Sequence, residues 1–493
     1  HDQSSAASDV YKRQGFNFDN TYADLPEIMA TKLSPIAVKK PKLVILNKIL
    51  AKSLGLDLSK ISDEQNAEIF SGNKLIEGSS PLAQAYCGHQ FGHFVMLGDG
   101  RAVLLGEHLD SNKQRWDIQL KGSGKTPYSR SGDGRAALGP MLREYIISEA
   151  IHFLNIPTTR SLAVVETGEE VIRETKLKGA ILTRVASSHL RVGTFQFVAA
   201  KEDITTLKTL VDYAIERHYP ELTQAQNKAV ALFKAVMKRQ IKLIVNWMRV
   251  SFVHGVMNTD NMSISGESID YGPCAFMDQY DTKTVFSSID HYGRYAYGSQ
   301  PVIGQWNLAR FIESLFPLLD KDEKKAEKIA NDLIVNYEDL FAKEFHEMMK
   351  NKLGMISDED QDKRMMSDLF KLMHKNQADY TNTFRYLING KFPQETLLND
   401  PDFIIWEAEW KKRLSKNQNS EDSYKLMIKN NPVFIPRNHK VEEALSEAEK
   451  GNLSKFLLLC NVIKKPYDED INQEDYTKPA PASDRIYKTY CGT

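Results

Sequence analysis

From residue 86 to about residue 200 the apolar residues come in short runs with the two-residue period of strands. Trp116–Lys121 alternates strictly, with Trp116, Ile118 and Leu120 on one face and Asp117, Gln119 and Lys121 on the other. Ala102–Glu107, Ser161–Val165, Val171–Glu174, Ala180–Val185 and Val192–Val198 read as further strands. Between them Pro140–Asn155 reads as a helix with proline in its first turn. From residue 204 onward helical spacing dominates. Thr223-Gln224-Ala225-Gln226 has capping-box spacing and predicts a helix reaching about Val250, with Leu232, Phe233, Val236, Met237, Leu243, Ile244 and Trp247 on its apolar side. Further helices are expected at about 305–318, 323–348, 361–374 and 440–450, and turns with a short β-like piece at His254–Phe276. The pattern is that of an α+β chain with a mostly antiparallel sheet followed by helices.

Composition narrows this. With 493 residues, the chain exceeds one typical domain. Lys plus Arg is 64 and Asp plus Glu is 65, a formal net charge of −1, which argues against a nucleic-acid or anionic-membrane binder. No apolar run approaches bilayer length; Phe456–Cys460 is far too short. Cys87, Cys274, Cys460 and Cys491 are too few and scattered for a disulfide-stapled scaffold, so a reducing compartment, the bacterial cytoplasm, is expected. Residues 1–14 are polar, lack the apolar core of a secretory signal, and read as a disordered or non-native extension.

The most informative stretch is His254-Gly-Val-Met-Asn258-Thr-Asp260-Asn261 followed by Asp270-Tyr271-Gly272. ATP chemistry needs an aligner or base for the attacking hydroxyl and oxygen ligands for Mg²⁺ at the phosphates. Asp260 offers the first; Asn261 and Asp270 offer the second. Kinases use a His-Arg-Asp loop and an Asp-Phe-Gly for this, so the present version is divergent, and two polar turns are the alternative reading. Lys121 ends the alternating strand on its polar face. Glu144 lies on the apolar face of the next helix with Ile147, Ile151 and Leu154, where a carboxylate is costly unless paired. A strand Lys with a helix Glu is the ion pair that positions ATP phosphates in kinases; the alternative is a solvated, unpaired Glu144. Arg184 and Arg191, near the end of one predicted strand and the start of the next, have forks that match phosphate oxygens. Gly98-Asp99-Gly100-Arg101-Ala102 is echoed by Gly132-Asp133-Gly134-Arg135-Ala136, turns that can leave backbone N–H groups for a ligand. Together these residues outline a protein-kinase-like two-lobe fold, with a β-rich N-lobe over 15–203, a helical C-lobe over 204–466 and a flexible tail over 467–493.

Two lookalikes fail. Gly122-Ser-Gly-Lys-Thr126 resembles a phosphate-binding P-loop, but Gln119 stands where its first Gly belongs and Pro127 follows. His89 and His93 have zinc-helix spacing, yet Gly88 and Gly92 argue for a turn and no zincin-style Glu follows.

Tyr86-Cys-Gly-His-Gln-Phe-Gly92, Gly98-Asp-Gly-Arg101, Gln119–Arg130, Gly132-Asp-Gly-Arg135, His254–Asn261, Asp270-Tyr-Gly-Pro273, Gly293-Arg-Tyr295, Gln305-Trp-Asn-Leu308 and Asn431–His439 occur in one order. In that combination the chain resembles the selenoprotein O family over roughly 40–460. The resemblance implies a pseudokinase-like nucleotidyltransferase that binds ATP in a flipped orientation. It would AMPylate Ser, Thr or Tyr hydroxyls of protein substrates and release pyrophosphate. It implies Asp260 as proton acceptor and Asn261 and Asp270 as ligands of Mg²⁺, with Mn²⁺ as a substitute. It implies a nucleotide site formed by Gly98, Gly100, Arg101, Lys121, Asp133, Gly134, Glu144, Arg184 and Arg191. The rivals are a kinase that moves the γ-phosphoryl group and a silent ATP-binding pseudokinase. Cys491 stands where the family carries a redox-active Cys or selenocysteine. Phe286-Ser-Ser288 lacks the partner Cys of some members, leaving Cys274 or Cys87 as alternatives.

Overall fold

The computed structural model describes residues 15–416, 419–469, 473–481 and 489. Residues 1–14 and Cys491 lie outside these. The main sheet is built from β1 (Ala30–Lys32), β2 (Lys42–Leu46), β3 (Leu82–Gln84), β6 (Ala102–Leu109), β7 (Arg115–Lys121), β9 (Arg160–Ile172) and β10 (Lys176–Ala186), in the order β1-β3-β6-β7-β10-β9-β2, with β8 (Ala136–Ala137) beside β10. All its ladders are antiparallel. The two strands expected over 161–174 are one, because Val171 continues the ladder to Leu177. β4 (Cys87–Gln90) and β5 (His93–Met96) form a separate hairpin whose turn is Phe91-Gly92.

The alternation of β7 sorts the two faces. Trp116, Ile118 and Leu120 pack with Leu50 and Leu54 of α1 (Lys48–Ser53) and its flank, and with Ile69 and Phe70 of α2 (Asp63–Phe70). Asp117, Gln119 and Lys121 point to the opposite side, where Lys121 meets α3 (Leu138–Phe153). β10 follows the same rule: Ile181 and Val185 join the first core, whereas Leu182 joins Leu142 and Ile146 of α3. Gln119 lies opposite Arg184, so Lys121 and Arg184 are diagonal neighbours on the polar face.

Helices follow. Val192–Val198 is not a strand but lies in a buried helix, α4 (Val192–Ala199): Thr194 Oγ1 accepts from Arg191 N at its start. A short run with apolar residues at both two-residue (Phe195, Phe197) and three-residue (Val192, Phe195, Val198) spacing fits either state, and only the tertiary setting decides. α5 (Ile204–His218) precedes α6 (Lys228–Arg249). The latter does not open at Thr223; Asn227 caps it by accepting from Val230 N at 3.0 Å, and Thr223 instead donates to Pro220 O. β11 (Phe252–Val253) pairs with β12 (Ala275–Phe276) and closes the base of loop 254–274. α7 (Gln300–Leu315), α8 (Glu323–Leu353), α9 (Asp362–Lys375) and α14 (Asn438–Glu449) occupy the expected helical regions. α10 (Tyr380–Asn389), α11 (Glu395–Leu398), α12 (Pro401–Ser415), α13 (Ser420–Asn430) and α15 (Ser454–Ile463) add to these. Among the described residues no helix is long and apolar enough to cross a membrane.

The segment expected as a loose tail is anchored where it is described. Arg249 donates to Tyr467 Oη at 2.9 Å, Arg437 to Thr477 O at 2.8 Å, and Ala480 N to Asp278 Oδ2 at 3.1 Å. Buried Arg437 also pairs with Asp379, and that ion pair sets the surface on which residue 477 lies.

A second buried charge cluster ties α5 to the sheet. Arg217 bonds Asp117 at 2.6 Å and also Glu107, while His189 Nδ1 lies 2.9 Å from Asp117. Burial alone would raise the Asp117 carboxyl, but Arg217 and His189 outweigh it and hold it at about 2. Asp117→Asn is expected to cost about 3 kcal/mol at pH 7, since it uncovers buried positive charge. The folded value lies below the unfolded one of about 3.9, so the contribution is full above that pH and fades as pH falls toward about 2. Urea titrations of both proteins between pH 7 and 3 should show the gap narrowing; a constant gap would contradict this.

Candidate active site

Loop 254–274 is braced from within. His254 Nε2 donates to Ile269 O at 2.9 Å, and Gln300 accepts from His254 N at 3.0 Å. Burial lowers the His254 pKa, in keeping with a neutral ring that acts as a spacer. Asn261 Nδ2 donates to Val256 O at 3.1 Å, Asn307 Nδ2 to Met257 O at 2.9 Å, and Tyr295 Oη to Asn258 Oδ1 at 2.6 Å. Tyr271 bonds Thr158, and Asp270 takes a left-handed backbone with φ 62°. That turn aims the Asp270 carboxylate back at the sheet.

There it meets three cations. Lys121 Nζ is 2.6 Å from Glu144 Oε2 and 2.8 Å from Asp270 Oδ1. Arg184 Nη2 is 2.6 Å from Glu144 Oε1 and also bonds Asp270. Arg191 Nη1 is 3.3 Å from Asp270 Oδ2 and donates to Asp260 O at 2.9 Å, with its guanidinium 4.4 Å above the Tyr86 ring. Burial pushes Asp270 up, but Arg184, Lys121 and Arg191 outweigh it and hold the carboxyl well below its usual range. Glu144 is likewise lowered because Arg184 and Lys121 outweigh its burial. The helix carboxylate on an apolar face is therefore paired, not solvated.

Asp260 differs. Its Oδ1 is buried with no hydrogen-bond partner among the described residues, and burial pushes its carboxyl up to about 6 against the pull of Arg191. Gly88 makes room for it: a Cβ there would lie 2.1 Å from Asp260 Oδ1.

Asp260, Asn261, Asp270, Lys121, Glu144, Arg184, Arg191 and the turn residues Gly98, Gly100, Arg101, Asp133 and Gly134 all line one cleft of about 400 Å³. The two echoed turns border it together. Arg101 O accepts from Gly122 N and Gly134 O from Gly124 N, so Gly122-Ser-Gly124 is a strap between them, and no helix follows it as a P-loop requires. Their backbone N–H groups are less available than expected: Asp99 N bonds Gln84 O, Gly100 N bonds Gly98 O, and Arg135 N bonds Asp133 Oδ1. Asp133 spends its carboxylate on Arg173 at 2.9 Å. Arg173, Asp99, Tyr86 and Tyr128 line the cleft without having been singled out as site residues. Arg173 sits in a polar β-turn whose pairing with Asp133 spans 40 positions, a contact with no local signal.

Chemically, the cleft offers a cationic floor for polyphosphate, oxygen donors at its edge, and one undersatisfied carboxylate. In a double-mutant cycle of Lys121→Met and Glu144→Gln, chemical denaturation should give a coupling of about 1–3 kcal/mol. Strict additivity would mean that the pair is not formed in solution.

Comparisons with known proteins give the family of the chain. Residues 12–464 match the family described as Protein adenylyltransferase SelO. A "Protein nucleotidyltransferase YdiU" of Pelagibacter ubique is 54% identical over 480 residues, covering 97% of this chain and 99% of the relative. Those of Nitrosococcus oceani and Bacillus thuringiensis are each 55% identical over 481 residues, covering 97% of this chain and 98% and 99% of theirs. The chain belongs to the SelO family of protein adenylyltransferases.

Proposed function

We propose that the chain moves AMP from ATP to Ser, Thr or Tyr hydroxyls of proteins in the cleft between a β-rich N-lobe and a helical C-lobe of kinase-like design. The observation that carries this is the juxtaposition of Asp260, with its unbonded Oδ1, and the cations Lys121, Arg184 and Arg191 gathered on Asp270. The acceptor oxygen attacks the α-phosphorus, the new P–O bond forms, and the bond to the β-phosphate oxygen breaks, so pyrophosphate leaves with the electron pair. The hydroxyl proton passes to Asp260. A carboxyl held at about 6 is well matched to that task near neutral pH. Lys121 and Arg184, placed by Glu144 and the sheet, and Arg191, placed at the start of α4 by Asp260 O and Asp270, offset the negative charge on the phosphates without reorganisation. Tyr86, Gly98, Gly100 and Tyr128 shape the wall; a Cβ at Gly98 would meet the Tyr128 ring at 2.4 Å.

The donor set suits Mg²⁺. Asn261 and Asp270 supply hard oxygen ligands, and no cluster of three His, Cys, Asp or Glu side chains occurs among the described residues. That matches an ion completed by water and phosphate oxygens more than one held in an all-protein cage, and Mn²⁺ takes the same donors. Bound there, the ion would neutralise phosphate charge. The buried thiols Cys87, Cys274 and Cys460 are consistent with a reducing bacterial cytoplasm.

Incubation with Mg²⁺ and either α- or γ-labelled ATP tests the assignment. Label should stay on protein only from α-labelled ATP and vanish with EDTA; label from γ-labelled ATP would make the chain a kinase. Asp260→Asn should lower transfer by about 10²–10⁴-fold. Wild-type transfer by that variant would remove Asp260 from the chemistry.

A further inference from the structure

Two sequence motifs, Gly293-Arg-Tyr295 and Gln305-Trp-Asn-Leu308, do not line the cleft, yet they meet beside it. Trp306 and Arg310 lie one turn apart on α7, and Arg294 reaches them from the preceding loop. Both guanidinium groups stack on the Trp306 indole, at 4.7 Å for Arg294 and 4.9 Å for Arg310. His89 meets the same indole edge-on at 5.3 Å, and Phe94, 46% exposed, packs on His89 at 5.2 Å. The Nε atoms of both arginines are buried without a hydrogen-bond partner among the described residues, so an incoming group can meet only the Nη ends. Stacking holds a guanidinium plane while leaving its edge open for a carboxylate fork.

The local anions leave one of these two guanidinium charges, that of Arg294, without a carboxylate partner among the described residues. Asp290 is buried and spends its carboxylate on the backbone N–H groups of Arg294 and Tyr295, at 2.9 and 2.8 Å. Glu313 pairs with Arg310 at the exposed rim. Among the described residues no carboxylate pairs with Arg294. The cluster thus keeps a cationic edge toward solvent, with an apolar wall at Phe94.

Each element that carries the cluster also touches the loop holding Asp260. His89 N donates to Thr259 Oγ1 at 2.7 Å and Phe91 N to Asn258 Oδ1 at 3.2 Å. Tyr295, next to Arg294, bonds Asn258, and Asn307, next to Trp306, bonds Met257 O. The cluster is thus fastened to the loop that holds Asp260, and an extended segment, which covers about 3.3 Å per residue, can bridge from one to the other. The geometry points to an acceptor-docking site: these three side chains hold a carboxylate-bearing segment of the acceptor protein, an Asp or Glu within a few residues of the hydroxyl that receives AMP. This deepens the transferase assignment and rests on Asp260 lying on the acceptor side of the cleft.

The test uses the full chain, Mg²⁺ and α-labelled ATP with one carrier protein ending in a Ser-Tyr segment flanked by Asp/Glu, by Ala or by Lys. The acidic version should exceed the alanine version in kcat/KM by about fivefold to tenfold, through KM and not kcat, and the lysine version should fall below both. Arg294→Glu should invert the order, favouring lysine, which a loss of folding would not do. Arg310→Glu, on a half-exposed helix position, should shift it the same way. Equal labelling of the three versions, an order unchanged in both variants, or label on other proteins but on no carrier would overturn the docking site and leave the transferase standing. Label on no protein at all would overturn the transferase assignment, and the docking site with it.

Discussion

Everything at the centre of this molecule depends on the burial of Glu144. Its side chain is 2% exposed on the face of α3 that packs against the sheet, where an unpaired carboxylate would cost several kcal/mol. Lys121 and Arg184, diagonal neighbours on β7 and β10, pair with its two oxygens. Two cations on one carboxylate leave an excess of positive charge, and Asp270 takes up that excess from loop 254–274. One charge thus ties a helix, two strands and a loop together. Arg191 adds a third cation beside Asp270, and these three are what the cleft offers to polyphosphate.

Much of this arrangement is legible along the chain because it follows from local periodicity. The alternation of Trp116–Lys121 places Lys121 opposite the apolar core, and the spacing of Glu144, Ile147, Ile151 and Leu154 places a carboxylate where it demands a partner. Other features resist a local reading. Val192–Val198 has apolar residues at both strand and helix spacing (Val192, Phe195, Phe197, Val198), so its helix is decided by neighbours such as Cys87, whose carbonyl approaches Gly193 too closely for any side chain there. Thr223 has the right spacing for a cap, but Asn227 is where the chain turns into α6. Arg173 with Asp133 and Arg217 with Glu107 and Asp117 join residues far apart in sequence, and no motif announces them. The anchoring of residues 467–481 by Arg249, Arg437 and Asp278 is of the same kind.

The cleft also separates two kinds of carboxylate by surroundings alone. Asp270, facing three cations, is held ionised, whereas Asp260, buried with one oxygen unbonded, is held near the pH at which a base works. Their residue type predicts no such difference. In the proposed mechanism it assigns Asp270 to charge and ligation and Asp260 to the proton, with the arginine-tryptophan cluster outside the cleft selecting what approaches.

If Asp270 occupies cations that phosphates would otherwise take, carboxylate and nucleotide compete for Lys121, Arg184 and Arg191. The direct measurement is the Kd for ATP in EDTA, wild type against Asp270→Asn. Removing the competing charge should tighten metal-free binding about tenfold, the effect of roughly 1.4 kcal/mol. Weaker metal-free binding by Asp270→Asn would contradict a shared cation site and place the phosphates elsewhere in the cleft.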